Sequence, residues 1–166
     1  MSYPQITLGG VEIGVQAGPS EQTVERIGGS SVVRMSGGAG VKMSHWGRAA
    51  GSVSGSGLLP AGLDGLDYGG PLELRLTKPR SLEQSSPEFT LDTAWRPDRQ
   101  PWACARVDGR WQPCACVTSG QEVEVTPVLG ADRYMVLWMP MYQVLLDEPA
   151  TGMGQSHNWT FSWEEA

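Results

Sequence analysis

The segment His157–Glu165 alternates large aromatic and small polar side chains, with Trp159, Phe161 and Trp163 at every second position. Side chains on a β-strand point alternately to two faces, so this pattern predicts a strand with one aromatic face and one polar, solvent-exposed face. A terminal strand of this kind is expected to dock into the body of a domain, because undocked chain ends are poorly ordered. The sequence therefore predicts a β-sheet protein.

Glycine and proline support an all-β fold. The 166 residues include 22 glycines and 12 prolines, and turn residues recur at short intervals, a rhythm typical of sandwiches and barrels. We expect a single β domain over residues 1–166, a β-sandwich or barrel, with two small β-units as the open alternative. The polar, proline-punctuated stretch at about 79–101 is predicted to be an exposed excursion, with residues 89–91 as a candidate short strand within it.

One short stretch has helical rather than strand spacing. Leu59, Leu63 and Leu66 are three or four residues apart, and Pro60 suits the first turn of a helix. We predict one short helix of one or two turns near residues 60–66.

Glycine-containing turns predict three hairpins. Gly9-Gly10 separates two short apolar stretches, and the glycine-rich residues 37–40 join a strand at 31–35 to one at 41–46. Asp108-Gly109 is the strongest of these signals, because both residues tolerate the positive φ of a two-residue hairpin turn.

Three cysteines lie in the Asp108-Gly109 hairpin. Structural zinc sites normally bring cysteines in two close pairs, whereas here Cys114 and Cys116 form one C-x-C and Cys104 stands alone. A two-residue turn places Cys104 opposite Pro113, on the other face from Cys114, whereas a bulge at the turn would place the two cysteines opposite each other. We interpret them as reduced, partly buried side chains and expect no metal and no cofactor.

No pattern indicates catalysis. The two histidines, His45 and His157, lack a triad context, and a valine replaces the glycine that a phosphate-binding loop requires before Lys42. We expect no catalytic residue and no enzyme activity. The net charge of −6, with no evident basic patch, argues against specific nucleic-acid binding. Without a secretory signal or a long apolar run, we expect a soluble protein made in a cytoplasm, with no membrane partner.

Two stretches suggest contact between copies of the chain. Residues 134–139 are apolar on both faces, which predicts either a central strand or a strand whose second face meets another subunit. The glycine–serine stretch 50–57 lacks bulk, which favours close approach to another backbone in the same chain or in a neighbouring copy. The predicted oligomer-interface residues are Val53, Ser54, Tyr134, Val136 and Trp138. Trp46 and Trp95 are predicted to be exposed binding aromatics, and the other five tryptophans to be buried in the core or an interface.

The glycine-turn patterns at residues 27–30, 36–42, 54–57 and 62–68, with Trp46 and the closing residues 159–165, carry a family resemblance. They resemble small virion proteins from the tail tip or baseplate of long-tailed bacteriophages, and in particular the distal tail protein class. The resemblance covers about two-thirds of the chain and involves turns and strands rather than active-site motifs, so it transfers no catalytic residue.

This resemblance implies a β-sandwich related to the tail-tube fold and a homo-oligomeric ring, commonly a hexamer. Such a ring joins the tail tube to the hub and receptor-binding parts, so the implied partners are the same chain, the tail tube, the hub and the tape measure. The implied location is the virion tail, after synthesis in the host cytoplasm. The alternatives are another virion structural protein (tail tube, tail terminator or capsid decoration) or a carbohydrate-binding adhesin module that uses Trp46 or Trp95.

Overall fold

A computed structural model describes residues 3–166, and their regular structure is almost entirely antiparallel β-sheet. The strands are β1 (Thr7–Leu8), β2 (Val11–Glu12), β3 (Ser20–Arg34), β4 (Gly40–Gly57), β5 (Leu72–Arg75), β6 (Arg80–Gln84), β7 (Glu88–Thr90), β8 (Trp102–Val107), β9 (Arg110–Cys114), β10 (Cys116–Ser119), β11 (Glu122–Val125), β12 (Ala131–Trp138), β13 (Met141–Leu145), β14 (Ala150–Met153) and β15 (His157–Glu165). A 3-10 turn at Val15–Ala17 is the one helical element in these residues. The predicted all-β class is confirmed, in a sandwich-like arrangement without a closed barrel.

The described residues form two compact units. Unit 1 contains residues 3–12 and Glu73–Tyr142, and unit 2 contains Ile13–Leu72 and Gln143–Ala166. The single domain predicted from the sequence stays a prediction, because compactness alone does not show whether either unit folds without the other. Within residues 3–166, no helix has the length and apolar character needed to cross a membrane.

Unit 1 has a sandwich-like core between two sheets. One sheet has the strand order β10-β11-β7 and the other β6-β12-β8-β9. Alternate side chains of both sheets enter one apolar cluster, as expected for strands with one buried face. The buried members are Phe89, Leu91, Ala103, Ala105, Val123, Val125, Tyr134, Val136 and Trp138.

The predicted exposed excursion at 79–101 is wrong. This stretch contains β6 and β7, and Phe89 and Leu91 are only 4% and 2% exposed. Its polar residues occupy alternate positions, so Glu88 and Thr90 face outward while Phe89 faces the core. The short strand that the sequence offers at residues 89–91 is present as β7, and it belongs to a sheet rather than to an exposed excursion.

The predicted helix near residues 60–66 is also wrong, because the chain there forms no helix and has a turn at 64–65. Ala61 and Leu63 are buried two positions apart, whereas Leu59 is 51% exposed. Gly62 between them has a φ of +81°, a left-handed conformation that a right-handed helix does not contain.

Arg96 is the one buried charged residue in the described chain, at 1% exposure. Its Nε and Nη2 donate to Asp98 Oδ1 at 2.6 Å and Oδ2 at 2.8 Å, and its Nη1 donates to the Leu76 carbonyl at 3.2 Å. The hydrogen bond from Arg96 is the main reason that the pKa of Asp98 lies below its usual value. The carboxylate thus compensates a cation removed from water.

Replacing this carboxylate by an amide tests the pair. Asp98→Asn is expected to lower the free energy of unfolding at neutral pH by about 1–2 kcal/mol, less than for a fully buried pair, because the Asp98 side chain is 45% exposed. A lowered folded-state pKa stabilises the protein above the unfolded pKa of about 4, and that stability is lost as pH falls through the folded value. Urea unfolding at several pH values should therefore show the two proteins converging in acid. A difference that stays constant down to acid pH would contradict this role.

The two-residue turns that the sequence predicted are confirmed. Gly9 and Gly10 have φ values of 56° and 84°, and Asp108 and Gly109 have 50° and 74°. Positive φ at both turn positions is the type I′ geometry that matches the twist of hairpin strands. The glycine-rich turn at 37–40 likewise joins β3 to β4.

Unit 2 is built on a sheet in which β15 pairs with β4, and β4 pairs with β3. On its other side β15 pairs with β14 and with the end of β13. The predicted aromatic face is confirmed, since Trp159, Phe161 and Trp163 are 2%, 3% and 2% exposed.

The small residues of β4 permit close approach within the same chain. A Cβ at Gly51 would lie 2.0 Å from the Thr23 carbonyl oxygen, and one at Gly55 would lie 2.5 Å from the Trp159 ring. Glycine at these positions therefore lets β3 and the aromatic face of β15 pack against β4. The sequence left open whether this stretch approaches a backbone of the same chain or of a neighbouring copy, and the structure shows contact within the same chain.

Candidate functional site

The β3–β4 hairpin continues far beyond the rest of the unit 2 sheet. β15 pairs with β4 only between Ala50 and Gly57, so the remainder of the hairpin is a two-stranded ribbon. We call residues 26–48 the arm. Every residue from 30 to 46 is exposed.

A β-bulge lies near the base of the arm. Gly29 pairs with Trp46 and Ser30 with Ser44, which leaves His45 as the extra residue. A bulge of this kind bends the strand and increases its twist. The Trp46 indole lies across Gly29, since a Cβ there would be 2.6 Å from the indole nitrogen.

The outer part of the arm has two different faces. Opposite residues of an antiparallel pair share a face, and Val33 pairs with Val41 beside Met43. Arg34 and Lys42 lie on the other face, because they alternate with those positions along the two strands. One face of the arm is therefore apolar, and the other carries Arg34 and Lys42 together with Val32, which pairs with Lys42.

The arm exposes more apolar surface than an isolated ribbon is expected to carry. Apart from Ile27, which is half-buried at its base, its large apolar side chains are between 46% and 61% exposed: Val32, Val33, Met35, Val41, Met43 and Trp46. Charges and a bulge protect a free sheet edge from unwanted pairing, which accounts for Lys42 but not for the apolar face. A two-stranded hairpin is marginally stable alone in water, and the arm adds exposed apolar surface to such a ribbon.

Charge in unit 2 is divided between the arm and the rest of the unit. All of its Lys and Arg residues lie in the arm: Arg26, Arg34, Lys42 and Arg48. All of its Asp and Glu residues lie outside the arm: Glu21, Glu25, Asp64, Asp67, Asp147, Glu148, Glu164 and Glu165. Among residues 3–166, the five ion pairs within 4.0 Å all join residues of unit 1, so the charges of unit 2 have no such pairing.

A polar groove of about 670 Å³ lies on the face of the unit 2 sheet opposite the buried aromatics. Glu25 and Glu164 flank Ala50 in one cross-strand row of this groove, and Asp147 lies at its wall. The pKa of the Tyr68 hydroxyl, also in the wall, is raised by burial and then by the carboxylates of Glu148 and Asp64. The groove is therefore negatively charged.

The predicted interface residues lie mainly inside the chain. Val53, Val136 and Trp138 are 0% exposed and Tyr134 is 6% exposed. Their side chains already fill the cores of the two units, so a second copy cannot contact them in this conformation, and we correct the prediction for these four. Ser54 is half-buried on the polar face of β4, and its role stays a prediction.

The two tryptophans predicted to be exposed differ. Trp46 is 57% exposed, as predicted. Trp95 is half-buried, packs against the unit 1 core and donates its indole N–H to the Gly120 carbonyl at 2.8 Å. Its predicted exposure is wrong, because the hydrogen bond to Gly120 joins residues 25 apart and is not visible in the local sequence.

The cysteine hairpin follows the two-residue-turn alternative, with Cys104 opposite Pro113. All three cysteines are free and half-buried. Burial raises the pKa of the Cys114 and Cys116 thiols above their usual value. In the part of the chain that the structure describes, no group of three or more His, Cys, Asp or Glu side chains could hold a metal ion.

Sequence reasoning missed the arm, although a signal was present. No acid occurs between Arg26 and Arg48, in a chain whose net charge is −6. Local spacing divides this region into short strands and a separate glycine–serine strand, which conceals the continuous hairpin that carries the charge.

The arm and the acidic groove are thus two surfaces of unit 2 that carry exposed apolar or charged groups, and both are defined by geometry within this chain. No protein-family model, no curated protein and no solved structure matches the chain.

Proposed function

We propose that this protein is a non-enzymatic structural subunit of a bacteriophage tail tip or baseplate. It assembles into a ring, commonly a hexamer, that joins the tail tube to the hub and receptor-binding parts. The observation that supports self-assembly is the arm, a two-stranded ribbon with an exposed apolar face. The resemblance in the glycine-turn patterns supplies the class of virion protein.

The unit 2 sheet has open edges suited to repeated addition. Among the described residues, β3 pairs only with β4 and β14 only with β15. All pairs from β3 through β4 and β15 to β14 are antiparallel, so β3 and β14 run in opposite directions. Joining β14 of one copy to β3 of the next therefore continues the antiparallel order without interruption.

A contact between two different edges is heterologous. Such contacts form a closed ring when the rotation between copies closes and an open filament when it does not. A tail-tip ring is expected to stop at one closed layer, whereas a tail-tube protein is expected to stack indefinitely. The oligomer formed by the purified chain distinguishes these roles.

Native mass spectrometry tests the proposal. A hexamer of the 17.9-kDa chain gives about 107 kDa, and we expect one closed species near this mass at micromolar concentration. The matched variant replaces residues 29–46 by Asn-Gly, because Gly28 and Gly47 are register partners that a two-residue turn can join. This armless variant should be folded and monomeric. A monomeric full-length chain would contradict self-assembly, and an open filament would favour the tube role.

A further inference from the structure

The cations at the outer end of the arm cannot reach the groove of their own chain. Lys42 is eight residues along β4 from Ala50, the position level with Glu25 and Glu164. At the rise of a β-strand this separation is about 26 Å. The Debye length at physiological salt is about 8 Å, so charges so far apart are screened from each other.

The groove carries negative charge, whereas the charged side chains of the outer arm are all positive. Glu25, Asp147 and Glu164 supply carboxylates, and Leu145 at the wall is 49% exposed. The volume of about 670 Å³ is enough for several side chains. Arg34 and Lys42 would bring two positive charges on one face of a narrow ribbon.

We propose that the basic face of the arm docks into the acidic groove of an adjacent copy of the chain. This inference rests on the proposed ring and names the contact within it. A second copy is the occupant because unit 2 carries its cations only on the arm and its acids only outside it. Each copy then gives one arm and receives one, which is the head-to-tail contact that a ring requires.

Two charge-reversed variants test the contact. The arm variant carries Arg34→Glu and Lys42→Glu, and the groove variant carries Glu25→Lys and Glu164→Lys. Each alone should assemble at least about tenfold more weakly, because like charges then face each other across the contact. Mixed in equal amounts, they should form a ring of alternating copies, since each arm again meets a groove of opposite charge.

Matched controls change the same charge elsewhere. Arg99→Glu with Arg110→Glu, and Glu122→Lys with Glu124→Lys, alter exposed residues of unit 1. These controls should assemble within about twofold of the wild type, because net charge alone has a small effect on a specific contact. Circular dichroism of all variants separates loss of assembly from loss of folding.

The outcomes separate this inference from the proposed function. A wild-type ring, weakened by either variant and restored by the mixture, supports docking. A ring that both variants form as well as the wild type overturns docking and leaves the proposed function standing. If the arm variant assembles normally but loses affinity for duplex DNA, the occupant is a nucleic acid and the inference fails. A wild-type chain that stays monomeric would contradict the proposed function itself.

Discussion

Replacing Trp138 by alanine is expected to lower the free energy of unfolding by about 3–5 kcal/mol, the usual range for a buried tryptophan. Trp138 is 0% exposed in the unit 1 core, and its indole N–H donates to Thr93 Oγ1 at 2.9 Å. The change leaves a large cavity between the two sheets and removes this hydrogen bond. Urea unfolding followed by circular dichroism measures the loss as a lower midpoint at unchanged slope.

The control for this prediction is Trp46→Ala. Trp46 is 57% exposed on the arm, so its removal should cost about 1 kcal/mol or less. The pair also separates folding from assembly: Trp46→Ala should weaken the proposed ring, while the unfolding midpoint stays nearly unchanged when it is measured at concentrations too low for the ring to form. Equal midpoints for Trp138→Ala and the wild type would contradict the burial of Trp138.

Local patterns predicted the parts of the fold that depend on neighbouring residues. The alternation of Trp159, Phe161 and Trp163 gave a buried strand face, because the period of two is a property of the extended chain itself. The Asp108-Gly109 turn fixed the register of its hairpin, because a two-residue turn leaves one way to pair the flanking strands.

Predictions failed where local spacing was ambiguous. The leucines near residues 60–66 match a helical period, but the left-handed φ of Gly62 excludes a helix, and burial falls on Ala61 and Leu63, two positions apart. Tertiary burial selected the period of two over the period of 3.6. In the same way, buried Phe89 and Leu91 make the polar stretch around them part of a sheet rather than an excursion.

The predicted interface failed for a different reason. A strand that is apolar on both faces is expected both in a central sheet position and at a subunit contact, and sequence alone does not separate the two. β12 is a central strand, with Val136 and Trp138 in the core. The absence of acids between Arg26 and Arg48 marks the arm in the sequence, but its extent depends on where β15 stops pairing with β4, at Ala50, which no local window contains.

Replacing Gly18 by alanine is expected to lower the free energy of unfolding by about 3–5 kcal/mol, because two costs add. Gly18 has φ 95° and ψ 168°, a region that is essentially restricted to glycine. A Cβ there would also lie 1.7 Å from the Ser56 carbonyl oxygen, so the backbone of β4 would have to move. The neighbouring Ala17 carbonyl accepts the buried Trp159 indole N–H at 3.0 Å, so a displacement would disturb the aromatic face too.

Gly14 provides a matched control on the other side of the same 3-10 turn. Its φ of −68° is allowed to any residue, and a Cβ at this position meets nothing within 4 Å. Gly14→Ala should therefore be neutral or stabilising by about 0.4–1 kcal/mol, through the lower entropy of the unfolded chain. Thermal unfolding of both variants measures the contrast. A Gly18→Ala protein as stable as Gly14→Ala would mean that this turn does not pack against β4 as described, and the register of the strand that carries the arm would then be in error.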